Sequence, residues 1–95
     1  MIVRLMGEGQ YRIDDGLRDR LEQLDGQALA ALERDDEAEL DGHLDSMWKL
    51  VTSEGQALPP EDLHPSDVII PPSDLTLEET RELFSEDGLI PDIPG

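Results

Sequence analysis

The stretch from Met1 to Asp15 constrains this chain more than any other, because it holds the only clear strand signals before residue 67. Val3 and Leu5 fall on one face of a pleated strand, with Ile2, Arg4 and Met6 on the other. Beyond Gly7-Glu8-Gly9, Tyr11 and Ile13 share a face, with Gln10 and Arg12 opposite. A hairpin has to bring the two apolar sets together. A three-residue loop over Gly7 to Gly9 does so, pairing Leu5 with Tyr11 and Val3 with Ile13, whereas loops of two or four residues scramble the faces. Gly9 supplies the left-handed last residue that such a loop favours.

This register sets Arg4 opposite Arg12 on the outer face. Like charges facing each other across a ladder are unfavourable by up to about 1 kcal/mol. An acidic group is therefore expected between or beside them, either a carboxylate of this same acid-rich chain or one from a partner. Arg4, Tyr11 and Arg12 are the candidate partner-binding residues.

After the hairpin, Asp14 and Asp15 are good helix N-caps. Leu17, Leu21, Leu24, Ala28, Ala31 and Leu32 stay on one face at helical pitch. Asp25-Gly26 interrupts the composition, and a helical Gly costs about 1 kcal/mol relative to Ala. The stripe nevertheless keeps phase, which predicts a helix over about 15–34. A re-start capped by Asp25 is the alternative. Asp36 with Glu39 resembles a capping box and opens a second helix over about 36–54. Its stripe is Leu40, Leu44, Met47, Trp48 and Val51, with Leu50 flanking, and Gly55 is a natural stop. So short a turn between the two makes them an antiparallel helical hairpin. Trp48 reads as the centre of its packing.

Pro59-Pro60, Pro65 and Pro71-Pro72 exclude a long helix from the next segment. The run Asp67-Val68-Ile69-Ile70 predicts a short edge strand over about 67–70 added to the hairpin, or an extended segment lying along it. Thr76-Leu77-Glu78-Glu79 is a cleaner capping box, starting a third helix over about 77–86 that carries Leu77, Leu83 and Phe84. Leu89 to Ile93 either packs as an extended strap or awaits a partner. The fold class is α+β: an N-terminal β-hairpin and a short third strand, packed on a helical hairpin and a short C-terminal helix. The whole of 1–95 reads as a single small acidic interaction domain.

Charge narrows the function. Twenty-four acidic residues against seven basic give a formal net charge of −17. That argues against nucleic acid as a direct ligand and against adsorption to anionic lipid. It favours a basic partner, a high-salt environment, or solubility alone. With no cysteine, disulfides and thiolate metal sites are excluded. No signal-peptide core opens the chain and no apolar run spans a bilayer, so a cytoplasmic protein without a transmembrane segment is expected.

Glu37, Glu39, Asp41 and Gly42 can be laid on the first half of a calcium loop, but its twelfth position, which needs a bidentate Glu, is Trp48. The acids are expected to be a solvated helix face. His64, Ser66 and Asp67 have the residue types of a triad, yet they are nearly adjacent and no oxyanion hole is signalled. Neither His43 nor His64 has a partner at metal-ligand spacing. The residues give no catalytic constellation, no metal site and no cofactor site, and the chain is not expected to be an enzyme.

The opening Met1-Ile-Val-Arg-Leu-Met-Gly-Glu-Gly-Gln-Tyr-Arg-Ile-Asp14, with Pro65-Ser-Asp-Val-Ile-Ile-Pro-Pro72 and Thr76 through Pro91, resembles the PspA-associated protein family. Gly7-Glu8-Gly9-Gln10-Tyr11-Arg12 is the most specific part. The resemblance implies a non-catalytic accessory protein of the phage-shock, envelope-stress response. Its partner would be a PspA-like coiled-coil membrane-remodelling protein, which would recruit it to the inner face of the membrane. A second reading of the same charge is an acidic decoy that mimics nucleic acid and binds a basic protein.

Overall fold

A computed structural model describes residues 1–61, 64–84 and 89. The elements follow as β1 (Ile2–Leu5), β2 (Gly9–Arg12), α1 (Asp15–Glu33), α2 (Glu37–Glu54), β3 (Gln56–Ala57), β4 (Val68–Ile70) and α3 (Leu77–Leu83). The strands form one sheet in the order β3-β2-β1-β4, with β4 parallel to β1 and the other pairs antiparallel. The expected α+β architecture is present, with the edge strand at Val68–Ile70 and a further two-residue strand, β3, that the sequence does not announce.

The hairpin forms in a register two residues from the expected one. Val3 faces Tyr11, Arg4 faces Gln10, Leu5 faces Gly9, and Met6 to Glu8 make the loop. A shift of two preserves every side-chain face, so alternation alone cannot tell the two registers apart. Contacts from outside the hairpin separate them. Met6 N–H donates to the Ile70 carbonyl (3.1 Å), and the Gln10 side chain is held by residues 64 and 66. Gly7 and Gly9 both take positive φ, 87° and 115°, at no steric cost. In consequence Arg12 faces Ile2, and the two arginines are diagonal neighbours.

Helix α1 is continuous through Asp25-Gly26. Its N-terminus is capped by the Asp14 carboxylate, which accepts from Leu17 N–H at 2.8 Å. At its C-terminus Asp36 N–H donates to the Ala31 carbonyl (2.9 Å) and Asp35 N–H to that of Leu32 (3.1 Å), with Asp35 at φ 57° in the place that usually takes Gly. Arg81 of α3 ties this turn down, donating to the Leu32 carbonyl at 3.1 Å and pairing with Asp35. The Asp36 carboxylate caps α2, and Thr76 with Glu79 forms a reciprocal capping box on α3.

Helix α3 is shorter than expected. It ends at Leu83 because Phe84 turns extended and packs its ring against the core. Thr80 is the residue α3 buries, while Leu83 is 42% exposed. Residues 85 and 86 lie outside the described part, as do Ile90 to Ile93 of the expected strap; Leu89 is half-buried against the core.

One core lies between the helical hairpin and the inner face of the sheet. Val3, Leu5, Ile13, Val68 and Ile70 meet Leu21, Ala28, Leu40, Leu44, Met47 and Val51, all nearly or wholly buried. Each large aliphatic side chain so buried contributes about 1.5–3 kcal/mol. Met47 rather than Trp48 is the centre of the α2 stripe. Trp48 packs on the core margin, half-buried, and its indole N–H donates to the Pro71 carbonyl at 2.9 Å.

Candidate functional site

Alternation along the strands puts Val3, Leu5, Val68 and Ile70 inward and Arg4, Gln10, Arg12 and Ile69 outward. Among the described residues no helix lies across the outward face: Arg4, Arg12 and Ile69 are exposed, and no strand residue on that face is acidic. In a chain of net charge −17 these strand positions are locally basic, although Glu8, Asp14 and Glu54 line the hollows beside them.

Gln10 organises the face. It is only 8% exposed. Its Nε2 donates to the His64 carbonyl (2.5 Å) and to Ser66 Oγ (2.8 Å), and its Oε1 accepts from His64 N–H (3.4 Å). Ser66 Oγ also accepts from Arg4 Nε at 3.4 Å. The Asp67 carboxylate accepts from Ile2 N–H at 2.8 Å. The proline-bounded segment is thus laced to the hairpin, and the hydroxyl and carboxylate that resembled parts of a triad are spent on anchoring it. Gln10→Ala leaves the His64 backbone groups without this partner, and a stability loss of about 1–3 kcal/mol is expected in denaturant unfolding. Sequence reasoning missed Gln10 because an exposed-phase Gln carries no periodic signal.

Of the three expected site residues, Arg4 and Arg12 stand on the outer face and Tyr11 on the inner one, half-buried against the core. Arg4 and Tyr11 nevertheless line one shallow groove of about 340 Å³, with Gln10, Leu58, Pro59 and Pro60. Arg12 borders a neighbouring hollow with Ile13, Asp14, Glu54 and Gln56. Among the described residues, no carboxylate forms an ion pair with Arg4 or Arg12. The pair is held apart by the observed register and needs no acid between its members, yet both guanidiniums are available to one. Their planar donor forks suit bidentate binding of carboxylates.

The acid run that could be laid on a calcium loop is helical, with Glu37, Asp41 and Asp45 one turn apart along α2. Burial, then the charges of Glu37 and Asp45, push the Asp41 carboxyl above its ordinary value. A raised carboxyl favours the folded state as pH falls toward it and opposes folding once ionised at neutral pH. Repulsion along this stripe is a cost of the acid excess. Asp25 behaves differently. It is 4% exposed within α1, and its carboxylate accepts from Leu89 N–H at 2.9 Å, so it holds Leu89 against the core. No helix among the described residues is long and apolar enough to cross a membrane.

Neither a curated protein nor a solved structure matches this chain. A family match is found, and it takes in the hairpin, both long helices, the edge strand and α3. With residues 1–92 matching, the chain belongs to the PspA-associated protein family.

Proposed function

We propose that this protein is a non-catalytic accessory component of the phage-shock response that binds a PspA-like coiled-coil protein and adjusts its assembly or membrane engagement. The family match over residues 1–92 carries this reading. The outer sheet face supports it with a place for contact: Arg4 stands beside the exposed Ile69 and Arg12 across from Ile2, and neither guanidinium forms an ion pair among the described residues. A coiled-coil helix presents an apolar seam bordered by charged residues of both signs. Its seam would lie on Ile2 and Ile69 and its carboxylates would meet Arg4 and Arg12, while the wider acidic surface steers its basic segments. Recruitment to the inner face of the membrane would follow from the partner.

The test is binding to a purified PspA-like protein by titration calorimetry. Affinity should fall between about 0.1 and 1 M salt, as the Debye length shrinks from about 10 to 3 Å. Arg12→Ala should weaken binding about tenfold and leave the melting temperature almost unchanged. Binding that ignores salt would remove the electrostatic mechanism. A large stability loss with normal binding would make Arg12 internal scaffolding. Capture of a DNA-binding protein in place of the coiled coil would favour the acidic decoy, which requires carboxylates spaced like phosphates over one continuous surface.

A further inference from the structure

The two guanidiniums of the outer sheet face are not equivalent. Arg4 is the cross-strand partner of Gln10 and the register neighbour of the exposed Ile69. The segment leading into β4 passes over this face, and Ser66 there meets both strands of the hairpin. Its Oγ accepts from Arg4 Nε at 3.4 Å and from Gln10 Nε2 at 2.8 Å. Gln10 is itself fixed, because its amide bonds the His64 carbonyl (2.5 Å) and the His64 N–H (3.4 Å). On the other side of Ser66, Asp67 is bonded twice to Ile2. Its carboxylate accepts from Ile2 N–H and its own N–H donates to the Ile2 carbonyl, both at 2.8 Å. The Ser66 hydroxyl is therefore held from two directions, and it holds Arg4. Arg12 has no such support. It is the last residue of β2, it is exposed, and its side chain makes no hydrogen bond or ion pair among the described residues.

We infer that Ser66 is a positioning residue that presets the Arg4 guanidinium for a partner's carboxylate, and that Arg12 acts only as a movable charge. The inference rests on the reading of this face as the contact for the coiled-coil partner. A guanidinium carries its N–H donors in a rigid planar fork. With Nε spent on Ser66, the Nη1 and Nη2 hydrogens remain. A carboxylate is then bound end-on, by Nη1 and Nη2 together, because side-on binding through Nε has to break the Ser66 bond. An untethered arginine gives up rotamer freedom when it is immobilised in a contact, and one already tethered gives up less. Ile69 stands next to Arg4, so a partner seam seated on it keeps water from the ion pair and the pair is slow to break. Arg12 contributes by attraction over a distance, and a lysine serves there as well. One guanidinium fixes the partner's register and the other draws the partner in.

The positioning is read in the free protein by NMR relaxation of the arginine Nε–H groups. The Arg4 order parameter should lie above about 0.6 and that of Arg12 below it. Ser66→Ala should bring Arg4 down to the level of Arg12, and Ser66→Thr, which keeps the hydroxyl, should restore it. Equal mobility of the two arginines in the unsubstituted chain overturns the inference whatever the partner does. Its consequence is read by binding kinetics against the purified PspA-like protein. Arg4→Ala and Arg4→Lys should each speed dissociation about tenfold, and Ser66→Ala about threefold. Arg12→Lys should stay within about twofold of the unsubstituted chain, and the loss in Arg12→Ala should appear in the association rate. Circular dichroism confirms that each variant folds. If Arg4→Ala dissociates fast and Ser66→Ala does not, the positioning role is wrong and the contact face stands. If Arg4→Ala and Arg12→Ala both bind like the unsubstituted chain, the contact lies elsewhere and the inference falls with that face. No binding by the unsubstituted chain removes the coiled-coil reading, and with it the use assigned to the preset fork.

Discussion

Trp48→Ala lowers the unfolding free energy by about 3 kcal/mol, which at about 4–8 °C per kcal/mol for a domain of this size drops the melting temperature by about 12–24 °C. Two losses combine. The indole packs on the core margin, and its removal leaves a cavity beneath the Pro71 turn. The 2.9 Å bond from Nε1 to the Pro71 carbonyl also goes, worth about 0.5–1.5 kcal/mol. Trp48→Phe separates them, retaining most of the packing and losing only the bond, so it should cost about 1 kcal/mol. Thermal unfolding of both variants reads the effect. A near-neutral Trp48→Ala would show that α2 and the segment leading into α3 are not coupled through this contact, and would make Trp48 a binding candidate.

Gly55→Ala is the second large effect, and its cause differs from that of most helix-ending glycines. Gly55 has φ −80° and ψ 167°, an extended conformation open to any residue, so left-handed freedom is not the requirement. Space is. A Cβ here would stand 2.6 Å from the Val51 carbonyl oxygen, 3.4 Å from Ile13 Cγ2 and 3.5 Å from the Arg12 carbonyl oxygen. The nearest obstacle is backbone, so the end of α2 or the end of β2 has to move. The cost is about 2–3 kcal/mol, reduced by up to about 1 kcal/mol from the stiffer unfolded chain. Gly26→Ala is the contrast. It sits mid-helix with nothing within 4 Å of a built Cβ, and alanine there should stabilise by about 1 kcal/mol. If the two substitutions moved the denaturation midpoint in the same direction, the close approach of α2 to β2 at Gly55 would be wrong.

What was legible in the chain followed from local rules that compete with nothing else. The stripe from Leu17 to Leu32 kept phase through Asp25-Gly26, and the helix runs through it. Asp14, Asp36 and Thr76 each cap the helix they precede, because a side-chain oxygen three residues before an unsatisfied N–H makes that bond whatever the rest of the protein does. The prolines around Val68–Ile70 mark an edge strand, since they cannot donate within a ladder. The outward phase of Arg4 and Arg12 was also legible, because side-chain parity survives an error in register.

What stayed hidden depends on partners distant in sequence. A two-residue slip of the hairpin costs nothing in face pattern, and only Met6 bonding to Ile70 and Gln10 bonding to residues 64 and 66 distinguish the registers. The strand Gln56–Ala57 exists because β2 has a free edge beside it, not because two residues carry a strand signal. The buried Asp25 carboxylate accepts from Leu89 N–H, 64 positions away in the sequence. Alternation, helical pitch and capping are short-range physics, and the sequence alone determined every element but β3, their faces and the family. Register, the second edge of the sheet and the pairing of buried polar groups are settled by hydrogen bonds that exist only once the chain has closed on itself, so the tertiary structure decided how Arg4, Gln10 and Arg12 stand to one another on the outer sheet face.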